Sequence, residues 1–233
     1  TTEIYTLSLH DALPISNCAL DCSMLILSCQ LGKAEYREMK DANWIQNRKM
    51  PLKRVFAPAA FTLILLALGT LSFGPWTSFI FSFGFVGGFV LWLIFPHCRN
   101  FQMIKAPYWI TFGIFIFFHR VEENLFRFQD RLSEITGTPV PSLTSPYLIL
   151  LVLLTVGGWL MVAPLIKRKK SFGVYLAWSF FASMGITELA HFALPFFSPG
   201  PYGYFPGMAS VFLLAPSAWW GAWRLMRRGG STL

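Results

Sequence analysis

Charge is what this sequence has little of. Charged residues make up 13% of the 233 positions, against 55% hydrophobic ones. That balance excludes the solvated surface of an ordinary soluble domain. Beyond residue 50 the acids reduce to Glu122, Glu123, Asp130, Glu134 and Glu188, and the cysteines to Cys98. One cysteine excludes a disulfide framework within that part of the chain. There is no H-E-x-x-H pair, no internal repeat and no low-complexity tract. The net charge of +8 does not point to nucleic acid, because the basic residues sit in short segments between apolar runs. "KRKK" at Lys167–Lys170 and "RLMRR" at Arg224–Arg228 are examples, and they read as topology signals and contacts to anionic lipid head groups.

What is present instead is a series of apolar runs near the ~20 residues that a helix needs to cross a bilayer. Six are expected to be helices, over roughly Val55–Leu71, Trp76–Phe95, Tyr108–Phe126, Tyr147–Ile166, Phe172–Leu194 and Pro206–Met226. The expected fold is an all-α, polytopic transmembrane helical bundle of about six spans. "SFGPW" turns between the first two, and "SEITGTPVPSLTSP" and "FFSPGPYGYFPG" form polar or uncharged loops. Basic residues fall in alternate loops. Arg48, Lys49, Lys53 and Arg54 precede the first span, Arg99 and Lys105 follow the second, Lys167–Lys170 follow the fourth, and Arg224, Arg227 and Arg228 follow the sixth. The positive-inside rule then places both termini in the cytoplasm. Membrane lipids are the expected partners, with no nucleic acid.

The first 49 residues read differently. Thr1–Ile15 has no hydrophobic period, and its back-translation resembles a short-read sequencing adapter. Ser16–Lys49 is polar and carries Cys18, Cys22 and Cys29. Met50 opens a basic start followed by a long apolar run. Residues 1–49 are therefore expected to be a non-native leader, with Met50 as the natural start. Residues 50–100 then hold two N-terminal helices, and residues 101–233 a four-helix membrane domain.

Ionisable groups inside apolar spans are costly and point to function. His119, Glu122 and Glu123 stand at i, i+3 and i+4 and share a helix face. Glu123 has Arg120 and Arg127 at helical spacing, so an ion pair is its expected role. Glu122 has no such cation. Glu188 and His191, at i and i+3, share a face of the fifth span. Both spans run outward, so both pairs lie at similar depth in the outer half, and they are expected to approach each other. His119, Glu122, Glu123, Glu188 and His191 are the catalytic candidates. His119, Glu122, Glu188 and His191 are the metal-ligand candidates.

"HRVEE" fits H-x-x-E-E, a later lone His191 follows, and "YFPG" at Tyr204–Gly207 fits Y-x-P-G. In these features the chain resembles the HXXEE-domain family of membrane proteins over about Tyr108–Met226. The resemblance implies that the last four spans form its core. It also implies that His119, Glu122, Glu123, His191, Tyr204, Pro206 and Gly207 matter, and it implies no activity. Tyr204 carries a hydroxyl within reach of the cluster and is the candidate for cofactor contact. Pro206 can open the sixth helix.

Two histidines with carboxylates suit zinc or iron. A metal-dependent enzyme acting on a lipid-like substrate is the first reading. Glu188-x-x-His191 has di-iron bundle spacing, but one such motif is incomplete. A metal-free acid/base enzyme, such as an isomerase, is the second. A proton- or cation-coupled transporter ranks lower, because neither inverted repeats nor broken helices are visible. A structural polar knot between helices is the fourth.

Overall fold

The computed structural model describes residues 51–98 and 100–227. The expectations for Thr1–Lys49 lie outside those residues. Among the described residues the fold is all-helical, without strands. Two helical segments are long and apolar enough to cross a membrane, Leu52–Ile94 and Ser171–Phe197.

The first, α1 (Leu52–Ile94), is interrupted at Gly74, whose φ of 78° and ψ of 172° are open to glycine and strained for other residues. The chain reverses there. Ser78 Oγ donates to the Leu66 carbonyl at 3.1 Å, twelve residues back. A straight helix would separate those residues by about 18 Å. The Phe73 and Phe81 rings meet edge-on at 5.6 Å across the same turn. Thr138 Oγ1 would stand 2.6 Å from a Cβ at Gly74, so the turn also lacks room for a side chain.

Next come α2 (Lys105–Ile114), a π-helical turn (Phe115–His119) and α3 (Arg120–Leu125), which run on as one rod. The short α4 (Phe128–Thr136) follows, where the sequence reading ends its third helix near Phe126. Arg127, at φ 55°, makes the corner between α3 and α4. Helices α5 (Pro146–Leu160) and α6 (Val162–Lys167) lead to α7 (Ser171–Gly185). The fifth rod does not continue as one helix, as the sequence reading expects. It breaks at Ile186, winds as a 3-10 turn over Thr187–Leu189, resumes as α8 (Ala190–Ala193) and ends in a second 3-10 turn, Leu194–Phe197. Trp219 Nε1 donates to the Gly185 carbonyl at 2.7 Å, satisfying a group that the break sets free. Helix α9 (Met208–Met226) closes the fold.

Helix α7 is the axis, and every residue from Gly173 to Gly185 is buried. Gly84 and Gly88 make its seam with α1. A Cβ on Gly88 would come within 2.5 Å of Ser179 Cα, and one on Gly84 within 2.6 Å of Ser183 Oγ. Small residues four apart on both helices let the backbones touch. Tyr175 ties both limbs of α1 to α7. Its ring meets Phe61 and Trp92 edge-on at 6.1 and 5.9 Å. Thr62 Oγ1 gives its proton to the Pro58 carbonyl at 3.0 Å, so the Tyr175 hydroxyl donates to Thr62 at 2.7 Å.

The rods run antiparallel, which gives the bundle two unlike ends. The basic end gathers Lys105 at the start of α2, Lys167 at the end of α6 and Arg224 in the last turn of α9. Arg224 donates to the Met103 carbonyl at 2.9 Å, and Arg227 lies over the Trp223 ring at 3.5 Å. The opposite end holds the Gly74 turn and the His/Glu residues. Large apolar side chains face outward along the rods, among them Leu63, Phe79, Phe117, Leu153, Phe196 and Phe212.

Candidate metal centre

Three chain segments build the site. The first is the α2–α3 rod. Its π-helical turn is closed by the Arg120 amide donating to the Phe115 carbonyl, five residues back. Such single-turn insertions are frequent at functional sites. His119 is the last residue of the turn, and Glu123 follows one helical turn later on the same face. The second segment is the broken end of the fifth rod, with Glu188 on the 3-10 turn and His191 on α8. The third is the entry to α9, Tyr204–Ser210.

His119, Glu123, Glu188 and His191 converge. His119 Nε2 lies 3.6 Å from Glu123 Oε1 and 3.1 Å from Glu188 Oε2. His191 Nε2 lies 3.6 Å from Glu123 Oε1 and 3.2 Å from Glu188 Oε2. The donor atoms of His119, Glu123 and His191 all lie within 4.8 Å of one another. The two imidazoles stand edge to face, with centroids 4.9 Å apart. His119 is 0% exposed and His191 3%. Phe128 packs on His191 at 4.9 Å, and Phe115 stacks on His119 at 6.0 Å.

Hydrogen bonds fix the tautomer of each ring. His191 Nδ1 faces the Pro206 carbonyl at 2.5 Å, and a carbonyl only accepts, so Nδ1 carries the proton. Ser210 Oγ spends its proton on the Gly207 carbonyl at 3.0 Å. It therefore accepts from His119 Nδ1 at 2.9 Å. In the neutral rings both Nε2 atoms then present lone pairs to the cluster. His119 Nε2 is buried without a directed hydrogen bond, although Glu188 Oε2 is near. The 3.2 Å hydrogen bond between His191 Nε2 and Glu188 Oε2 needs a proton on that nitrogen; with both rings neutral, two imidazole lone pairs and two carboxylate oxygens face one another in a buried space. That arrangement is repulsive unless positive charge stands between them.

Glu122 is placed differently. The sequence reading puts it among the ligands and gives Glu123 to an arginine. In the structure Glu123 Oε1, and no atom of Glu122, is paired with the two histidines. Glu122 Oε1 accepts from the amides of Gly207 at 3.1 Å and Ala209 at 3.0 Å, and Oε2 from the amide of Ser210 at 2.7 Å. The Tyr204 hydroxyl also donates to Oε1. Glu122 is therefore the carboxylate at the N-terminus of α9, where unpaired amides and the helix dipole attract negative charge. Burial and the Glu122 carboxylate both raise the Tyr204 phenol above its ordinary range, so it stays a proton donor. Tyr204 does not reach the His/Glu atoms. Glu123 pairs with Arg120 through Oε2, as its spacing suggests, but its Oε1 faces both histidines. Arg127 pairs with Asp130 instead, at 2.7 Å.

Gly207 packs on both rings. A Cβ there would meet His191 Nδ1 at 2.4 Å and His119 Cε1 at 3.1 Å, and its φ is +97°. Two participants have no clear mark in the sequence. Ser210 is one serine among several, and nothing local reveals that it holds His119. The π-helical turn is likewise silent in "FIFFH".

No family model, no curated protein and no solved structure matches this chain.

Proposed function

We propose that this chain is a polytopic membrane protein of about six spans, both termini cytoplasmic, with a mononuclear divalent-metal centre in the outer half of the bilayer. Its ligands are His119 Nε2, Glu123 Oε1, Glu188 Oε2 and His191 Nε2, and it works as a metal-dependent enzyme on a lipid-like substrate. The observation that carries the metal is the pair of Nδ1–H tautomers, which aims two lone pairs at two carboxylates. The four histidine–carboxylate separations of 3.1, 3.2, 3.6 and 3.6 Å are of the size that ligands sharing one ion with bonds of ~2.0–2.1 Å have, and His119, Glu123 and His191 are the set whose donor atoms all lie within 4.8 Å of one another. Two neutral imidazoles and two carboxylates sum to −2, and the Arg120 guanidinium on Glu123 Oε2 brings the group to −1, which a divalent ion more than balances. Zinc or iron suits this nitrogen and oxygen set. Such an ion would supply Lewis-acid activation of an ester, a carbonyl or a water molecule.

Several features support the membrane reading. Each limb of α1 has the length of a span. Outward apolar side chains on the rods suit lipid, and the basic end suits the cytoplasmic face. Glu188 is the ligand with the most exposed side chain, at 15%. Its flanking residues Ile186 and Leu189 turn outward, so the centre opens sideways among apolar groups. H-x-x-E-E, His191 and Y-x-P-G all meet here, which supports the proposed kinship with HXXEE-domain proteins.

Metal analysis of the purified protein tests this reading, with about one zinc or iron per chain expected. A metal-free wild-type protein that takes up neither ion overturns it. In that case the pairs at 3.1 and 3.2 Å suit protonated imidazoles, and metal-free acid/base catalysis takes its place. The broken rod at Glu188 is a feature shared with cation-coupled carriers. Cation flux in vesicles would identify that case.

A further inference from the structure

Glu122 touches none of the four proposed ligand atoms, yet it holds the segment that orients both histidines. We infer that Glu122 is a positioning residue for the histidine pair, acting through the entry of α9. This inference rests on the metal reading only for its consequence, since the orientation of the rings is a property of the chain.

The connection runs through single hydrogen bonds. Glu122 fixes the amides of Gly207, Ala209 and Ser210 with two oxygens. Those residues and the adjoining Pro206 carry the Nδ1 partner of each imidazole. Ser210 Oγ accepts from His119 Nδ1, and the carbonyl of Pro206, one residue before the clamped Gly207 amide, accepts from His191 Nδ1. The Gly207 backbone is also a wall against which both rings rest. A shift of α9's first turn therefore moves both Nδ1 partners together. Among the described residues, no other group on the facing rod reaches these amides. Glu122 and Glu123 are consecutive, so one helix turn sets both a ligand and the residue that aims the other ligands. Ligand-orienting groups of this kind change metal affinity by ~10–100-fold when removed.

Glu122→Gln is the test, because it preserves shape while removing the charge and turning a donor towards amides that also donate. The full-length protein is examined in detergent with two readouts. The first is the ring nitrogen NMR signals of His119 and His191 in metal-free protein, recorded at a pH high enough that both rings are neutral. Wild type should show protonated Nδ1 on both rings, and Glu122→Gln should give mixed tautomers on both. The second is titration with Co2+, read by its visible absorption. Affinity should fall ~10–100-fold with an altered band, while amide exchange at residues 207–210 accelerates. A Glu122→Gln variant that keeps wild-type ring signals overturns the inference, whether or not metal binds. Wild-type protein that takes up no Co2+ removes the metal reading alone, and the ring signals still decide the role of Glu122. Altered exchange with unchanged rings would show a cap that serves only the helix, which also overturns it. Glu122→Asp provides a second variant if Glu122→Gln fails to fold. It keeps the charge on a shorter arm, so α9 should stay capped while the rings lose their single tautomer, and wild-type rings there count against the inference.

Discussion

The fifth rod meets its neighbours in two ways, and the contrast separates what holds the fold from what works in it. Along α7 the contacts are made by missing atoms. Gly84 and Gly88 leave Ser183 and Ser179 so close that a methyl group would overlap them. Beyond the break at Ile186 the contacts are made by polar atoms. Glu188 and His191 reach His119 and Glu123 at 3.1–3.6 Å. The first region is intolerant of volume. The second is sensitive to charge and proton position, and it is built on 3-10 turns and short helices that a packed seam would not need. The same rod thus serves as axis in one half and carries Glu188 and His191 of the cluster in the other.

Adding volume to the seam should produce the largest effect. Gly88→Leu would drive a side chain into the Ser179 backbone, where no rotamer offers relief. Overpacking against backbone is expected to cost about 3 kcal/mol or more. The expected outcome is near-complete loss of monodisperse protein on gel filtration after extraction. Wild-type yield and melting temperature would break the contrast, because the seam would then tolerate volume.

His191→Ala should do the reverse. It removes one ligand from the cluster and leaves the glycine seam untouched. Metal content should drop from about one ion per chain to none, while helicity by circular dichroism and the elution position stay as in wild type. If the protein instead unfolds with its metal lost, the cluster is part of the framework, and the two regions are less distinct than drawn.

Arg120→Gln should have a smaller effect. Arg120 holds Glu123 Oε2 and leaves Oε1 for the histidines. Its side chain is 52% exposed, so solvent weakens the pair. A loss of about tenfold in Co2+ affinity is expected, at the low end for an orienting partner. No change would place Glu123 under the control of its own rod alone.

The sequence carries the helices and the gathering of His119, Glu188 and His191, for a plain physical reason. Apolar length defines a rod, and ionisable groups on an apolar rod must find one another. It does not carry the division of labour between Glu122 and Glu123. Both acids have helical neighbours at the right spacing, and only the distant amides of α9 distinguish them. Local spacing finds the Arg120 partner of Glu123, but it cannot see that a carboxylate has a second oxygen with its own destination. The break at Ile186 is hidden too, since "GITELAH" contains no proline. The freed Gly185 carbonyl is satisfied from Trp219, thirty-four residues away, and no local pattern reports that.

The smallest expected effect belongs to Tyr204→Phe, and it tests how much of the Glu122 clamp lies in its backbone donors. Tyr204 gives Glu122 one of four hydrogen bonds, and the other three come from amides that the substitution leaves in place. The phenol stands at the rim, 56% exposed, so water can replace its hydroxyl at the carboxylate. Its ring keeps its edge contact with Phe126 at 5.4 Å. One exposed hydrogen bond is worth about 0.5–1 kcal/mol, which corresponds to no more than about fivefold in Co2+ affinity. Tyr204→Phe should therefore fall well short of Glu122→Gln, with both histidines keeping protonated Nδ1. If the two variants prove equal, the phenol rather than the helix entry holds Glu122. The Tyr204 loop would then belong to the working half of the molecule instead of its surface.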